Sequence, residues 1–180
     1  WNYFEDQAGN MVSKRFHNGN TFFFNDGGSI QIAANLSSEL LDAPFRIHRD
    51  YAPIPVGSYD WTEYQVTFNS DPSSVISGSL DLTGGALWTG TQRTVRASLG
   101  VQPSYRLRTS IGLSRTAANL DLPDVEFVKS LWTFRANYSF STTMFVDALT
   151  QYDPEQRLFN ANVRFDVIHH PLSDLFIVLN

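Results

Sequence analysis

The chain has 180 residues, of which 42% are hydrophobic and 14% aromatic, so it is expected to form one folded domain rather than a disordered segment. The net charge is −5, and this lack of excess positive charge makes nucleic acid a poor candidate partner. The absence of cysteine excludes disulfides and thiolate metal sites, and no run approaches the ~18 apolar residues of a transmembrane helix.

Residues 1–40 predict strands and one tight hairpin. Residues 1–20 carry four aromatic side chains but only a broken alternation, so they are predicted as a single strand. Residues 21–24 and 29–40 predict a hairpin, because the Asn-Asp-Gly-Gly turn at 25–28 consists of residues that tolerate positive φ.

Residues 41–58 interrupt the strand pattern and form the longest predicted loop. They contain three prolines and one glycine, which end strands and favour irregular backbone. Long loops on rigid scaffolds often carry recognition, although a loop of this kind also folds over the end of a sheet without any binding role. The candidates for a surface recognition site are Arg46, His48, Arg49, Asp50 and Tyr51.

The remaining sequence predicts a series of short-linked strands. Their connections are short and rich in turn-forming residues, and Gly84-Gly85 is predicted to form one of the hairpin turns. Short connections between successive strands imply antiparallel neighbours in an up-and-down meander. The predicted strands cover residues 59–68, 75–82, 91–101, 105–115, 125–140, 143–152, 157–168 and 174–179.

These strands are two-sided. In residues 157–168, Phe159, Val163 and Phe165 fall on one face, whereas Asn162, Arg164 and Asp166 fall on the other. A row of charged and amide side chains needs water or polar partners, so such a strand separates an apolar phase from a hydrated one.

Alternation alone is compatible with two opposite kinds of β-barrel. A soluble lipocalin-like barrel has an apolar interior, and a membrane barrel has a polar lumen with its apolar side chains in lipid. Strand lengths near the ~9–11 residues needed to cross a bilayer favour the membrane. So do aromatic residues near the predicted strand ends, namely Tyr59, Trp61, Trp88, Tyr105, Trp132, Tyr138, Phe140 and Tyr152. The polar residues then expected to line a lumen are Glu39, Glu63, Arg96, Arg106, Arg108, Arg135, Asp147, Asn162, Arg164 and Asp166.

Several runs also resemble a known family. In chain order they are PFRIHRDYAPIPVGSYDW, GSLDLTGGALWTGTQRTVRASLGVQPSYRL, ANYSFSTTMFVDALTQYD and NANVRFDVIHHPLSDLFIVLN. They resemble the C-terminal part of an uncharacterised domain-of-unknown-function family of Gram-negative outer-membrane β-barrels, in which a carbohydrate-binding-like module often precedes the barrel. His170-Pro171-Leu172 departs from the Arg-Pro-Gly of that family.

The resemblance implies an all-β, antiparallel up-and-down transmembrane β-barrel, or part of one, with about ten strands. Residues 1–180 are then expected to be one barrel domain in the bacterial outer membrane, forming the C-terminal portion of a larger barrel. The expected partners are the lipid bilayer and other chains or strands that complete the barrel.

Three functions follow as hypotheses. The first is a non-enzymatic outer-membrane barrel that acts as a pore wall or as the anchor of an envelope assembly. The second is a soluble barrel whose Phe22, Phe24, Phe159 and Phe165 line an apolar ligand pocket. The third, suggested only by the module that accompanies relatives, is the barrel part of an envelope polysaccharide hydrolase.

No residue pattern predicts a catalytic or cofactor site. Adjacent histidines such as His169-His170 point to opposite faces of a strand, so they do not predict a metal site. Acid–base catalysis would need two carboxylates, such as Asp147 and Asp166, to converge, whereas each lies in a different strand among polar neighbours. The chain is therefore predicted to be no enzyme and to hold no cofactor.

Overall fold

The computed structural model describes residues 1–47, 51–123, 125–170 and 173–179, and in these ranges the regular secondary structure is entirely β. The strands are β1 (Asn2–Glu5), β2 (Met11–Phe23), β3 (Ser29–Leu41), β4 (Gly57–Asn69), β5 (Ile76–Leu87), β6 (Gly90–Ser104), β7 (Leu107–Asn119), β8 (Glu126–Ser139), β9 (Met144–Asp153), β10 (Leu158–His170) and β11 (Ser173–Leu179).

The strands form one antiparallel sheet in which every strand pairs with its neighbours in the chain, in the order β1 to β11. The predicted up-and-down meander is therefore confirmed. The sheet is open in the part of the chain that the structure describes, because β1 pairs only with β2, and β11 pairs only with β10.

Residues 1–20 do not form the single strand predicted for them, because they contain a turn. The Asp6 carboxylate accepts hydrogen bonds from the backbone N–H groups of Ala8 and Asn10, and Gly9 adopts a φ of 84°. This Asx-type turn reverses the chain and divides the segment into β1 and β2. The described residues therefore contain eleven strands.

The pairing register places polar and apolar side chains on opposite faces of the sheet. On one face, Asp81 of β5 pairs with Arg96 of β6, which pairs with Ser114 of β7. On the other face, Leu80 pairs with Ala97, which pairs with Leu113. We call these the polar face and the apolar face.

The apolar face is nearly continuous across the sheet. From β3 to β11 its central positions are mostly aliphatic or aromatic, as in the row Leu99, Ile111 and Phe134. β2 differs, because the same face carries Lys14, Asn18 and Asn20 there. The alternation predicted from sequence is thus confirmed for both faces.

The only cluster of fully buried apolar side chains among the described residues is built by loops rather than by the sheet faces. Ile54 of the β3–β4 loop packs against Leu120 and Val125 of the β7–β8 loop. Leu87 and Trp88 at the β5–β6 turn pack against this cluster. The loops at one end of the sheet therefore form a small core of their own.

The predicted turn at Gly84-Gly85 is wrong. Both glycines lie inside β5, which continues to Leu87, and the chain reverses at Trp88 and Thr89. Gly85 is needed for packing, because a Cβ atom there would lie 2.8 Å from Glu63 Cα and closer still to the carbonyl oxygen of Thr62. Such a contact with backbone leaves no space for a side chain.

We expect Gly85→Ala to lower the free energy of unfolding by at least ~1–3 kcal/mol, the usual effect of overpacking, because β4 and β5 must move apart. Gly84→Ala is the matched control, since its Cβ would lie 3.8 Å from the nearest atoms, an ordinary contact. Equilibrium urea unfolding measures both variants. Equal losses in the two variants would contradict the role assigned to Gly85.

Candidate functional site

The polar face brings together most of the residues that the sequence analysis assigns to a lumen. The paired positions of β3 to β10 place Glu39, Glu63, Arg96, Arg108, Arg135, Asp147, Asn162, Arg164 and Asp166 on this face. Arg106 differs, because it lies in the turn between β6 and β7 and its Nε donates a hydrogen bond to the Tyr105 hydroxyl.

Asp81 is the centre of a hydrogen-bonded cluster on this face that spans β4, β5 and β6. One carboxylate oxygen accepts hydrogen bonds from Gln65 Nε2 at 2.6 Å and from the Thr67 hydroxyl at 2.8 Å. The other oxygen pairs with Arg96 Nη1 at 3.2 Å. The partners of Asp81 come from the two neighbouring strands, so this cluster depends on strand pairing and not on the pattern of β5 alone.

Two further carboxylates lie on β9 and β10. Asp166, which is buried, accepts a hydrogen bond from Arg164 Nε at 2.6 Å. Asp147 accepts one from Asn137 Nδ2 at 2.6 Å and lies directly opposite Arg164 in the register. Asp147 and Asp166 therefore each have their own partners, with Arg164 next to both, which is the arrangement of an ion-pair network rather than of an acid–base pair.

A third cluster lies on β2, β3 and β4. His17 Nδ1 is 2.7 Å from Asn35 Oδ1, and Arg15 Nη2 is 3.8 Å from Glu63 Oε2. Asn35 is buried, and its Nδ2 donates to no described residue. His17 and Asn35 were not predicted as site residues, since a lone histidine in a poorly alternating segment carries little signal.

The polar face also contains a groove between the β4–β5 and β6–β7 turns, with a volume of about 510 Å³. Arg108 and Arg135 line it together with serine and glutamine side chains of β5, β6 and β7. A neighbouring cavity of about 390 Å³ shares Arg108 and Arg135 and extends to Asp147 and Asn162. We call the larger cavity the arginine groove.

The long loop predicted for recognition folds against the other loops at the opposite end of the sheet. Phe45 and Ile54 pair through their backbones, and Tyr51 stacks on Phe127 of β8 with ring centroids 5.9 Å apart. Arg46 is exposed, whereas His48, Arg49 and Asp50 lie outside the described residues.

Three of the aromatic residues predicted near the membrane boundary belong to this loop end instead. Tyr59 and Trp61 are on the polar face of β4, and the Tyr59 hydroxyl donates to the carbonyl oxygen of Pro55. Trp88 packs at a tilt against Trp61, with ring centroids 6.2 Å apart, and donates from its Nε1 to Glu39 Oε2 at 2.7 Å. The polar atoms of Tyr59 and Trp88 therefore fix the loop end, whereas Trp61 Nε1 is buried without a hydrogen-bond partner among the described residues.

Glu155 joins the β9–β10 turn to β8. Its carboxylate accepts hydrogen bonds from the Ser130 hydroxyl at 2.7 Å and from the Ser130 backbone N–H at 2.9 Å. The pKa of Glu155 lies below its usual value because these bonds stabilise the ionised carboxylate, and the bond from the Ser130 hydroxyl has the largest effect. The turn is thus tied to β8 beyond the last paired residues of β9.

Among the described residues, no three His, Asp or Glu side chains group as metal ligands would, and no helix is long and apolar enough to cross a membrane. Comparisons with protein-family models, curated proteins and solved structures find no significant match.

We expect Ile54→Ala to release the β3–β4 loop, because removing a buried Ile side chain typically removes ~2–5 kcal/mol of packing. The exposed Val56 provides the control, Val56→Ala. Limited proteolysis followed by mass spectrometry should show faster cleavage within residues 42–56 in the first variant only, while circular dichroism of the sheet stays unchanged. Equal cleavage rates in wild type and Ile54→Ala would contradict this packing.

We expect the Glu155 tether to depend on pH. Its lowered pKa means that its stabilising effect is fully present above the pKa of the unfolded chain and is lost as the pH falls through the lower, folded value. The difference in unfolding free energy between wild type and Glu155→Gln should therefore shrink on acidification. Glu126→Gln, at an exposed residue of β8, serves as the control for removal of one carboxylate, and a Glu155→Gln difference that stays constant on acidification would contradict the tether.

Proposed function

We propose that this chain forms the wall of a β-barrel in the bacterial outer membrane, with its apolar face against lipid and its polar face toward a hydrated interior. The barrel acts without enzymatic chemistry, as a pore wall or as the membrane anchor of an envelope assembly. The proposal includes membership of the outer-membrane barrel family that the sequence resembles. Closure then requires strands that pair with the open edges of β1 and β11.

The observation that carries the proposal is the inverted burial of the two faces. Several side chains of the polar face are buried, with exposed fractions of 1% for Asn35, 3% for Thr94 and 4% for Asp166. Large apolar side chains are exposed instead, at 54% for Ile32, 48% for Leu99 and 43% for Phe134. A soluble protein rarely exposes a contiguous apolar surface of this kind, whereas a lipid-facing sheet must.

Two rows of aromatic side chains on the apolar face give further support. Trp132, Tyr152 and Phe159 occupy paired positions on β8, β9 and β10. Tyr138 lies six residues further along β8, where its ring packs edge-on against Phe140, at 4.8 Å between centroids. Six residues of strand span ~20 Å, close to the ~25 Å apolar band of membrane barrels before tilt is considered.

The polar face would act on solutes through fixed charge. Arg96 and Arg164 are held by carboxylates, so their positive charges are locally balanced. Arg135 makes no hydrogen bond or ion pair with the described residues. A hydrated interior with this distribution favours passage of polar solutes over apolar ones.

The soluble ligand-binding alternative has less support. Phe22, Phe24 and Phe159, three of the residues proposed to line an apolar pocket, are exposed. Phe165 lies on the apolar face, where its ring is 6.4 Å from Phe140. A barrel with an apolar interior would need the polar face on its outside, so the buried side chains of Asn35 and Asp166 would then point outward.

Membrane integration is tested by fractionation and extraction. We expect the chain to sediment with outer membranes, to resist carbonate extraction and to require detergent for solubility. A chain that remains monomeric and soluble in buffer would contradict the proposal.

We expect Leu99→Arg, on the apolar face, to impair folding into lipid vesicles, because arginine near the middle of a bilayer is unfavourable by ~2–4 kcal/mol. Ser98→Arg is the matched control, since Ser98 is the adjacent residue on the polar face. Urea titration of vesicle-inserted protein measures the difference. If Leu99→Arg is as stable as Ser98→Arg, the apolar face does not contact lipid.

A further inference from the structure

We propose that the arginine groove binds a small hydroxylated anion, meaning a sugar that carries a carboxylate or phosphate group. This proposal rests on the proposed function for its biological meaning, because the groove would then lie on the wall of a solute pathway. The groove itself is a property of the folded sheet, so its binding is measured independently of membrane insertion.

The first observation is an uncompensated positive charge. Arg108 and Arg135 both line the groove of about 510 Å³, and none of the residues lining it is an aspartate or glutamate. This is unusual in a chain whose net charge is −5. The nearest carboxylate in the adjoining cavity, that of Asp147, already accepts a hydrogen bond from Asn137.

The second observation is the placement of the two guanidinium groups. Arg135 of β8 pairs with Ser110 of β7, and Arg108 lies two residues from Ser110 on the same face. Diagonal neighbours of this kind are ~7–8 Å apart at their origins, within reach of long side chains. Two arginines so placed can contact one anion in the groove that both of them line.

The partners of the two arginines differ, which assigns them different roles. Arg108 donates from Nε at 3.2 Å and from Nη2 at 2.8 Å to Gln102 Oε1, so an amide fixes its orientation without neutralising its charge. Arg135 has no partner among the described residues, so its planar donor fork is free to bind a carboxylate or phosphate.

The hydroxyl groups of the groove fit the rest of such a ligand. Ser77, Ser79, Ser98 and Ser110 line the groove from three strands, and the hydroxyls of Ser79 and Ser98 are 2.7 Å apart. A hydroxyl both donates and accepts, which matches the hydroxyls of a sugar. Gly100 leaves room for the Ser77 hydroxyl, because a Cβ atom at position 100 would lie 2.9 Å from Ser77 Oγ.

The test is titration of the purified chain, in detergent micelles, with glucuronate, glucose 6-phosphate, inorganic phosphate and glucose, followed by ligand-observed NMR and calorimetry. We expect glucuronate and glucose 6-phosphate to bind more tightly than inorganic phosphate or glucose. Equal affinity for phosphate and glucose 6-phosphate, or for glucose and glucuronate, would overturn the proposal.

Substitutions then assign the site. We expect Arg135→Gln to raise the Kd of glucuronate at least about tenfold, as expected for the loss of hydrogen bonds to a charged group. Arg135→Lys keeps the charge but loses the fork, so its Kd should lie between those of wild type and Arg135→Gln. Arg96→Gln is the control, because Arg96 is on the same face but paired with Asp81 outside the groove. Equal effects of Arg135→Gln and Arg96→Gln would overturn the assignment.

The outcomes separate this proposal from the proposed function. Glucuronate binding by a chain that needs no detergent would support the groove and contradict the membrane barrel. Membrane insertion with no binding of any probe would overturn the groove alone.

Discussion

Backbone pairing between strands that are neighbours in the chain is the constraint on which the rest of this structure depends. Each strand from β2 to β10 has a partner on both sides, so its N–H and C=O groups are satisfied within the sheet. With the backbone satisfied in this way, the side chains are left to decide what each face contacts. The strict period of two then gives the sheet two surfaces of opposite chemistry.

The polar face is stabilised by hydrogen bonds between its side chains rather than by apolar packing. Asp81 accepts hydrogen bonds from neighbours on both adjacent strands, and Arg164 is held by Asp166 on its own strand. Such clusters offset the unfavourable desolvation of buried polar groups. Apolar burial is instead concentrated where Ile54, Leu120 and Val125 meet at the loop end. In the sheet, therefore, polar side chains are buried and large apolar side chains are exposed, which is the reverse of the usual arrangement.

Sequence reasoning predicted those features that depend on local periodicity. The alternation in residues 157–168 predicted both faces of β10, because side-chain direction follows from position along a strand. The close approach of Gly85 to Thr62 could not be predicted, because it depends on how closely β4 and β5 pack at this position of the sheet. The shared groove of Arg108 and Arg135 likewise depends on the register between β7 and β8, which no local pattern contains. The turn at Asp6 was missed although its Asp-x-x-Gly-Asn residues are good turn formers, because the surrounding alternation is weak.

The consecutive order of the strands also makes the sheet modular. Because each strand pairs only with the strands before and after it in the chain, the pairing of one part of the sheet does not depend on how many hairpins the sheet contains. Duplication or loss of a hairpin would widen or narrow the sheet while leaving the register elsewhere intact. Arginine pairs on adjacent strands, such as Arg108 and Arg135, would be copied together with their hairpin. Sheets of this type are therefore able to change width and charge pattern in single genetic steps.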